Sequence, residues 1–435
     1  MAWTEQHVRR LFWRAGFGAT PDEARHYARM GQAAALRFLL DGDGQGAFSD
    51  IPEARIHGRP LDPVNEPGHE VLWWLDRMVR SRRPLVEKLT LFWHDHFATS
   101  NQDTPLMLAQ NQMFRERALD TFLRLLEGIM KDPAIQLYLS LAGSPKGAPN
   151  ENFARELMEL FTLGSGYDET DVREMSRALT GWRKRRANGI TTTYWDPNAH
   201  DDGVKTIFGQ SGAYGPDDVI VLVTQHPAHA PFIVGKLWSF FVTQPLDAAT
   251  QAALVETYRS SGSSIKAVVG QILAHPALYA NLTSPDMVKA PVVHVAGVLR
   301  TTQTPITLRR YSALMTAMGQ RLFRPPSVAG WDWGTAWLST NAMQARVELA
   351  SSLVSVGSRT LRVRSKRAAA DWTPREHVDA ALETMGQPWI AHDTRAALLD
   401  VAHGFHGARP TVESARALQR LLCQLVVSGP DAVMH

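Results

Sequence analysis

The stretch NENFARELMELF, residues 150–161, decides how the chain is read. Phe153, Leu157, Leu160 and Phe161 recur at intervals of three and four, the apolar stripe of an α-helix. Gly147 and Pro149 precede the stripe and an Asn caps it. Working outward, the same spacing recurs at about 70–80, 84–97, 105–131, 169–182, 217–226, 229–242, 249–259, 264–274, 286–300, 308–318 and 340–356. It returns at about 374–385, 391–404 and 411–427. Thr20-Pro21-Asp22-Glu23 and Thr373-Pro374-Arg375-Glu376 are capping boxes with proline at the first helical position. Alternating β-branched runs are few, and TTTYW (191–195) is the best strand candidate. The expected fold is mainly α: a large multi-helix single domain with long ordered loops at 41–69, 183–216 and 320–339, and a small C-terminal helical segment. Residues 1–357 read as the helical domain, and 358–435 as a basic linker followed by that segment.

The 435 residues are 44 % hydrophobic and 20 % charged, enough for a sizeable core and unlike a disordered or collagen-like chain. A lone cysteine, Cys423, excludes an intramolecular disulfide and a cysteine-rich metal centre. Thirteen tryptophans and sixteen histidines are an excess that needs explaining. The formal charge of +3 is nearly neutral for this length. Basic clusters stand at Arg80, Arg82 and Arg83, at Arg183–Arg186 and at Arg362–Arg367, and they read as solvated loop charges. The sequence shows no continuous basic face, so nucleic acid is not expected as a partner. No apolar run approaches the ~20 residues that span a bilayer. The first residues, MAWTEQHVRRLFWRAGFG, lack an apolar leader segment and a small-residue cleavage site. A soluble cytoplasmic protein is the default expectation.

Three constellations carry candidate chemistry. In FWHDHF (92–97), His96 lies within the apolar stripe of the helix that starts near Pro84, and His94 lies opposite. The two imidazoles clamp one metal only if the chain is extended there. In 150–159, Asn152, Glu156 and Glu159 share one flank, and Glu151, Arg155 and Glu159 form an i, i+4, i+8 ladder. A carboxylate beside an apolar stripe is partly desolvated, so Glu156 needs a partner and is a candidate for a raised pKa. Arg155 is either its counter-ion or a substrate clamp. In HDDGVK (200–205), His200, Asp201 and Lys205 sit on a glycine-rich loop suited to holding a metal, moving protons or binding an anion. His226-Pro227-Ala228-His229 reads as a structural helix–helix corner. Trp331, Trp333 and Trp337 are core residues or stacking surfaces for sugar rings. Walker A, Rossmann, H-E-x-x-H and G-x-S-x-G motifs are missing, which removes the functions they carry.

Seven ordered segments together resemble the DUF1800 proteins, a bacterial family of unknown function. They are LFWRAGFGATPDEA, EKLTLFWHDHFATS, NENFARELMELFTLG, DVREMSRALTGW, HDDGVKTIFGQSG, HPAHAPFIVGKLWSFFV and GQRLFRPPSVAGWDWGTAWLST. The resemblance covers about residues 8–350. It implies a helical protein and marks His94, His96, Asn150, Glu151, Arg155, Glu156, His200, Asp201 and Lys205 as positions that the family pattern shares. One departure is Val293, where the resemblance implies a glutamate.

These residues lead to three expectations. The first is a hydrolase-type enzyme with Glu156, Arg155, Asp201, Lys205, Glu151 and Asn150 as the catalytic set, assisted by a divalent metal on His94, His96, His200 and Asp201. The second is a metal-independent enzyme acting on a glycan through the Glu156–Asp201 pair. The third is a non-catalytic helical binding or scaffold protein in which the polar motifs fix helix packing. The expected ligand is a glycan or an anionic molecule.

Overall fold

The structure, a computed structural model, describes residues 2–187, 190–355, 370–405 and 411–435. The basic run Arg362–Arg367 lies outside the described residues. The protein is mainly α. Its strands form three short antiparallel pairs among the described residues: Arg55–Ile56 with Arg59–Pro60, Trp182–Ala187 with Ile190–Trp195, and Lys205–Ile207 with Gln210–Gly212. Among the described residues, no helix is long and apolar enough to cross a membrane.

The chain divides into two compact units. The first comprises Met1–Lys88, Ala274–Arg321 and Asp332–His435. Its central element is the helix Pro291–Thr301, buried at every position. A helix buried on all sides belongs in the middle of a core, and Val293, 1 % exposed, is part of that surface. The helix packs on His69–Arg80 and on Arg310–Ala317. Gly297 lets the Trp13 indole lie against its backbone, since a Cβ there would stand 2.2 Å from the ring. The guanidinium of Arg300 leaves the same helix and is neutralised by Glu23 at 2.7 Å, with the carbonyls of Val79 and Ser81 as further acceptors. The helices Thr340–Ser355 and Pro374–Thr384 both pack on Val412–Ser428 within this unit. The capping boxes at Thr20 and Thr373 form as the sequence predicts.

The second unit comprises Leu89–Leu273 and Leu322–Trp331. Phe92, Trp93, Phe97, Phe114, Phe122, Phe153 and Phe161 fill its core. The pattern over 105–131 breaks into Thr104–Glu116 and Phe122–Met130. Thr121 caps the second helix by accepting from Arg124 N–H, and Phe122 N–H turns away to the Ser263 carbonyl. The 183–216 stretch, read as a loop, carries two of the strand pairs. The largest departure is at 152–162. The α-helix stops at Glu156, and Leu157–Thr162 continues as a π-helix. A π-turn spaces its hydrogen bonds by five residues and is rare outside functional or strained positions.

Candidate functional site

The Pro84–His96 helix stays helical through both histidines. The extended clamp that would aim His94 and His96 at one metal is therefore not formed. His94 Nε2 instead accepts from Phe323 N–H at 3.1 Å. Phe323 has φ 63°, a conformation that bulky residues rarely hold, and the imidazole helps to fix it. The neighbouring Asp95 accepts from Trp331 N–H at 2.8 Å. FWHDHF and the Leu322–Trp331 segment are thus tied through side chain and backbone. Trp331 and Trp337 are buried core residues, while Trp333 is 38 % exposed.

His96 sits among the rings of Phe92, Trp93, Phe97 and Phe161. Its Nε2–H donates to the Phe161 carbonyl at 2.9 Å. His229 Nδ1–H donates to the next carbonyl, Thr162, at 3.0 Å, and Tyr258 O–H donates to its Nε2 at 2.8 Å. Two imidazoles therefore cap consecutive carbonyls at the end of the π-helix, groups that have no partner within the helix. Burial pushes His94 and His96 down to about 3, and His229 down to about 4. Burial thus keeps all three neutral, and for His94 the acceptor role of Nε2 requires it.

The π-turn also rearranges the 150–159 ladder. Asn150 Oδ1 accepts from Asn152 N–H at 2.9 Å, and its own N–H donates to Ser144 Oγ at 2.8 Å. Arg155 bridges Glu151 at 3.2 Å, as the spacing predicts. Its second partner is Glu169 at 2.8 Å, not Glu159. Glu156 is half-buried beside Glu159. Among the described residues, none donates a hydrogen bond to its carboxylate. Burial first, then the charge of Glu159, raises its pKa, and Arg155 offsets part of this. Burial raises the phenols of Tyr138 and Tyr167, and the Glu156 charge adds to it in both, so the two rings lie within its electrostatic reach.

The third constellation is closed on itself. Asp201 takes a two-pronged hydrogen bond from Arg177, 2.8 Å from Nε and 3.2 Å from Nη2, and accepts from Gly203 N–H. The Arg177 bond is the main reason its pKa lies below the ordinary value. Lys205 is fully buried and donates to the carbonyls of Asp201 and Tyr214. His200 Nδ1–H donates to Thr180 O at 2.9 Å. The chemistry of the loop goes into holding its own backbone against the Glu169–Ala178 helix. Among the described residues, no group of three or more His, Cys, Asp or Glu side chains could hold a metal ion. His94, His96, His200 and Asp201 each have the separate partner described above.

Several important residues escaped the sequence reading. Arg177 lay within a noted motif without a role. Tyr138, Tyr167 and Tyr258 carried no local signal, because each acts through a contact distant in sequence. No curated protein and no solved structure matches the chain. The model of a family described as "Protein of unknown function (DUF1800)" matches residues 10–433. Nearly the whole length is covered, and the chain belongs to the DUF1800 family.

Proposed function

We propose that this protein is a metal-independent enzyme of hydrolase type in which Glu156 is the proton donor and acceptor. One observation carries this reading. Glu156 is a half-buried carboxyl with a raised pKa and, among the described residues, no hydrogen-bond donor, whereas the other candidate groups are held by partners of their own. A carboxyl that keeps its proton nearer neutrality is suited to general acid catalysis. Glu159 supplies the second carboxylate in this reading, and Asp201, pinned by Arg177, serves the fold. The π-turn that follows Glu156 supports the assignment, because such turns concentrate at functional positions. Arg155, already shared between Glu151 and Glu169, orients the turn.

The test is a panel of p-nitrophenyl glycosides, esters and phosphates, assayed with and without EDTA. The expected result is turnover of one class, unaffected by EDTA and lowered ~100-fold or more in Glu156→Gln with the melting temperature preserved. Equal activity in the variant, or activity abolished by EDTA, overturns the reading. The separate partners of His94, Asp201 and Lys205 favour a second reading, a non-catalytic helical scaffold. That reading predicts no turnover on any member of the panel.

A further inference from the structure

The first unit holds a cavity of about 710 Å³ lined by residues of that unit. Its walls carry Arg9, Arg10, Lys289 and Arg395, and Asp379 is the one acidic side chain among its lining residues. The three arginines already have carboxylate partners: Glu5 for Arg9, Asp286 for Arg10 and Asp379 for Arg395. Lys289 differs. It is 4 % exposed, and among the described residues no carboxylate lies within ion-pair distance. Its Nζ rests 4.0 Å from the centre of the Trp13 ring and donates to the Ala432 carbonyl at 2.8 Å.

Two further atoms at this cavity are unmatched. His435 is 8 % exposed, and its buried Nδ1 has no hydrogen-bond partner. The Nε of Arg9 is buried and also has none. Buried polar atoms are nearly always satisfied, so unmatched ones lining a cavity indicate a missing acceptor or donor. Trp13 and Trp389 add flat apolar surface to the same walls.

We propose that this cavity binds a small organic carboxylate carrying a flat ring. Lys289 has no carboxylate beside it and Asp286 is divided between Arg10 and Arg14, so positive charge is in excess and the site takes an anion, while the indole walls favour an organic carboxylate with a ring. The carboxylate would meet Lys289 and the Arg9 guanidinium, and the ring would pack on indole. The size suits such a ligand, since small-molecule sites enclose roughly 300–1,000 Å³. Burial pushes Lys289 down to about 7, and an arriving anion would favour its charged form.

The experiment uses the full chain and 1-naphthoate, followed by tryptophan fluorescence and calorimetry, with 1-naphthalenemethanol as the neutral analogue. Naphthoate is expected to saturate one site and to bind roughly tenfold or more tighter than the alcohol. Lys289→Met keeps the aliphatic stem and removes the charge, so it should erase that preference while alcohol binding persists. Arg9→Gln, at a less buried position, should weaken naphthoate in the same direction and covers the case in which Lys289→Met does not fold. Equal binding of acid and alcohol, unchanged naphthoate affinity in Arg9→Gln, or no saturation by ~10 mM naphthoate overturns the proposal.

Discussion

Gly330→Ala is expected to lower the stability of the second unit by about 3 kcal/mol, from overpacking and backbone strain together. Gly330 has φ +85°, which L side chains rarely adopt. A Cβ there would stand 2.3 Å from Asp95 Oδ1 and 2.8 Å from the Asp95 carbonyl oxygen. The carboxylate could swing aside only by releasing Trp331 N–H, and the carbonyl belongs to a helix. Gly334 supplies the control. It also has positive φ, +71°, but nothing lies within 4 Å of its added Cβ, so Gly334→Ala should cost about 1 kcal/mol. Urea denaturation of both variants separates the two contributions. Equal losses would refute the close approach of the Leu322–Trp331 segment to Asp95.

Acid should unfold the second unit well above the carboxylate range. His94, His96 and His229 are neutral when folded, with pKa values of about 3, 3 and 4, against 6.5 in the unfolded chain. The unfolded state therefore binds more protons below pH 6.5. The stability these groups hold is complete above that value and declines as pH falls toward 4. Asp132 works in the opposite sense. Burial raises it to about 6, so the folded form gains its proton first and is favoured as pH falls below that value. Three histidines against one aspartate leave a net of about two protons, or about 3 kcal/mol per pH unit between pH 6 and 5. Denaturation curves across this range should show that slope, and His96→Gln should reduce it by about one proton. Stability that stays flat from pH 7 to pH 5 would show that these imidazoles are not buried neutral.

The helical fold was legible because its signals are local. Thr20 and Glu23 make their capping box within four residues, and the apolar spacing of 69–80 or 412–428 is written along one helix. The π-turn was illegible for the opposite reason. The carbonyls it releases are taken up by His96 and His229, which lie 65 and 67 residues away in sequence. From 100° spacing alone, Glu159 should have continued the Arg155 ladder; the wider turn hands that place to Glu169. The candidate site was legible as residue types and only partly as geometry. Glu156 beside an apolar stripe could be read directly. The pairing of Asp201 with Arg177 could not, because it depends on how a loop folds back on a helix 24 residues earlier.

The two imidazole caps have a spectroscopic consequence. His96 carries its proton on Nε2 and His229 on Nδ1, since each must donate to a carbonyl. The π-helix thus ends between opposite tautomers, whose ring nitrogens have well-separated ¹⁵N shifts. An isotope-labelled sample would report from within the core on both caps at once. Loosening of the turn, whether by ligand, by acid or by substitution at Glu156, would appear as the loss of one tautomer's signature before the fold itself gives way.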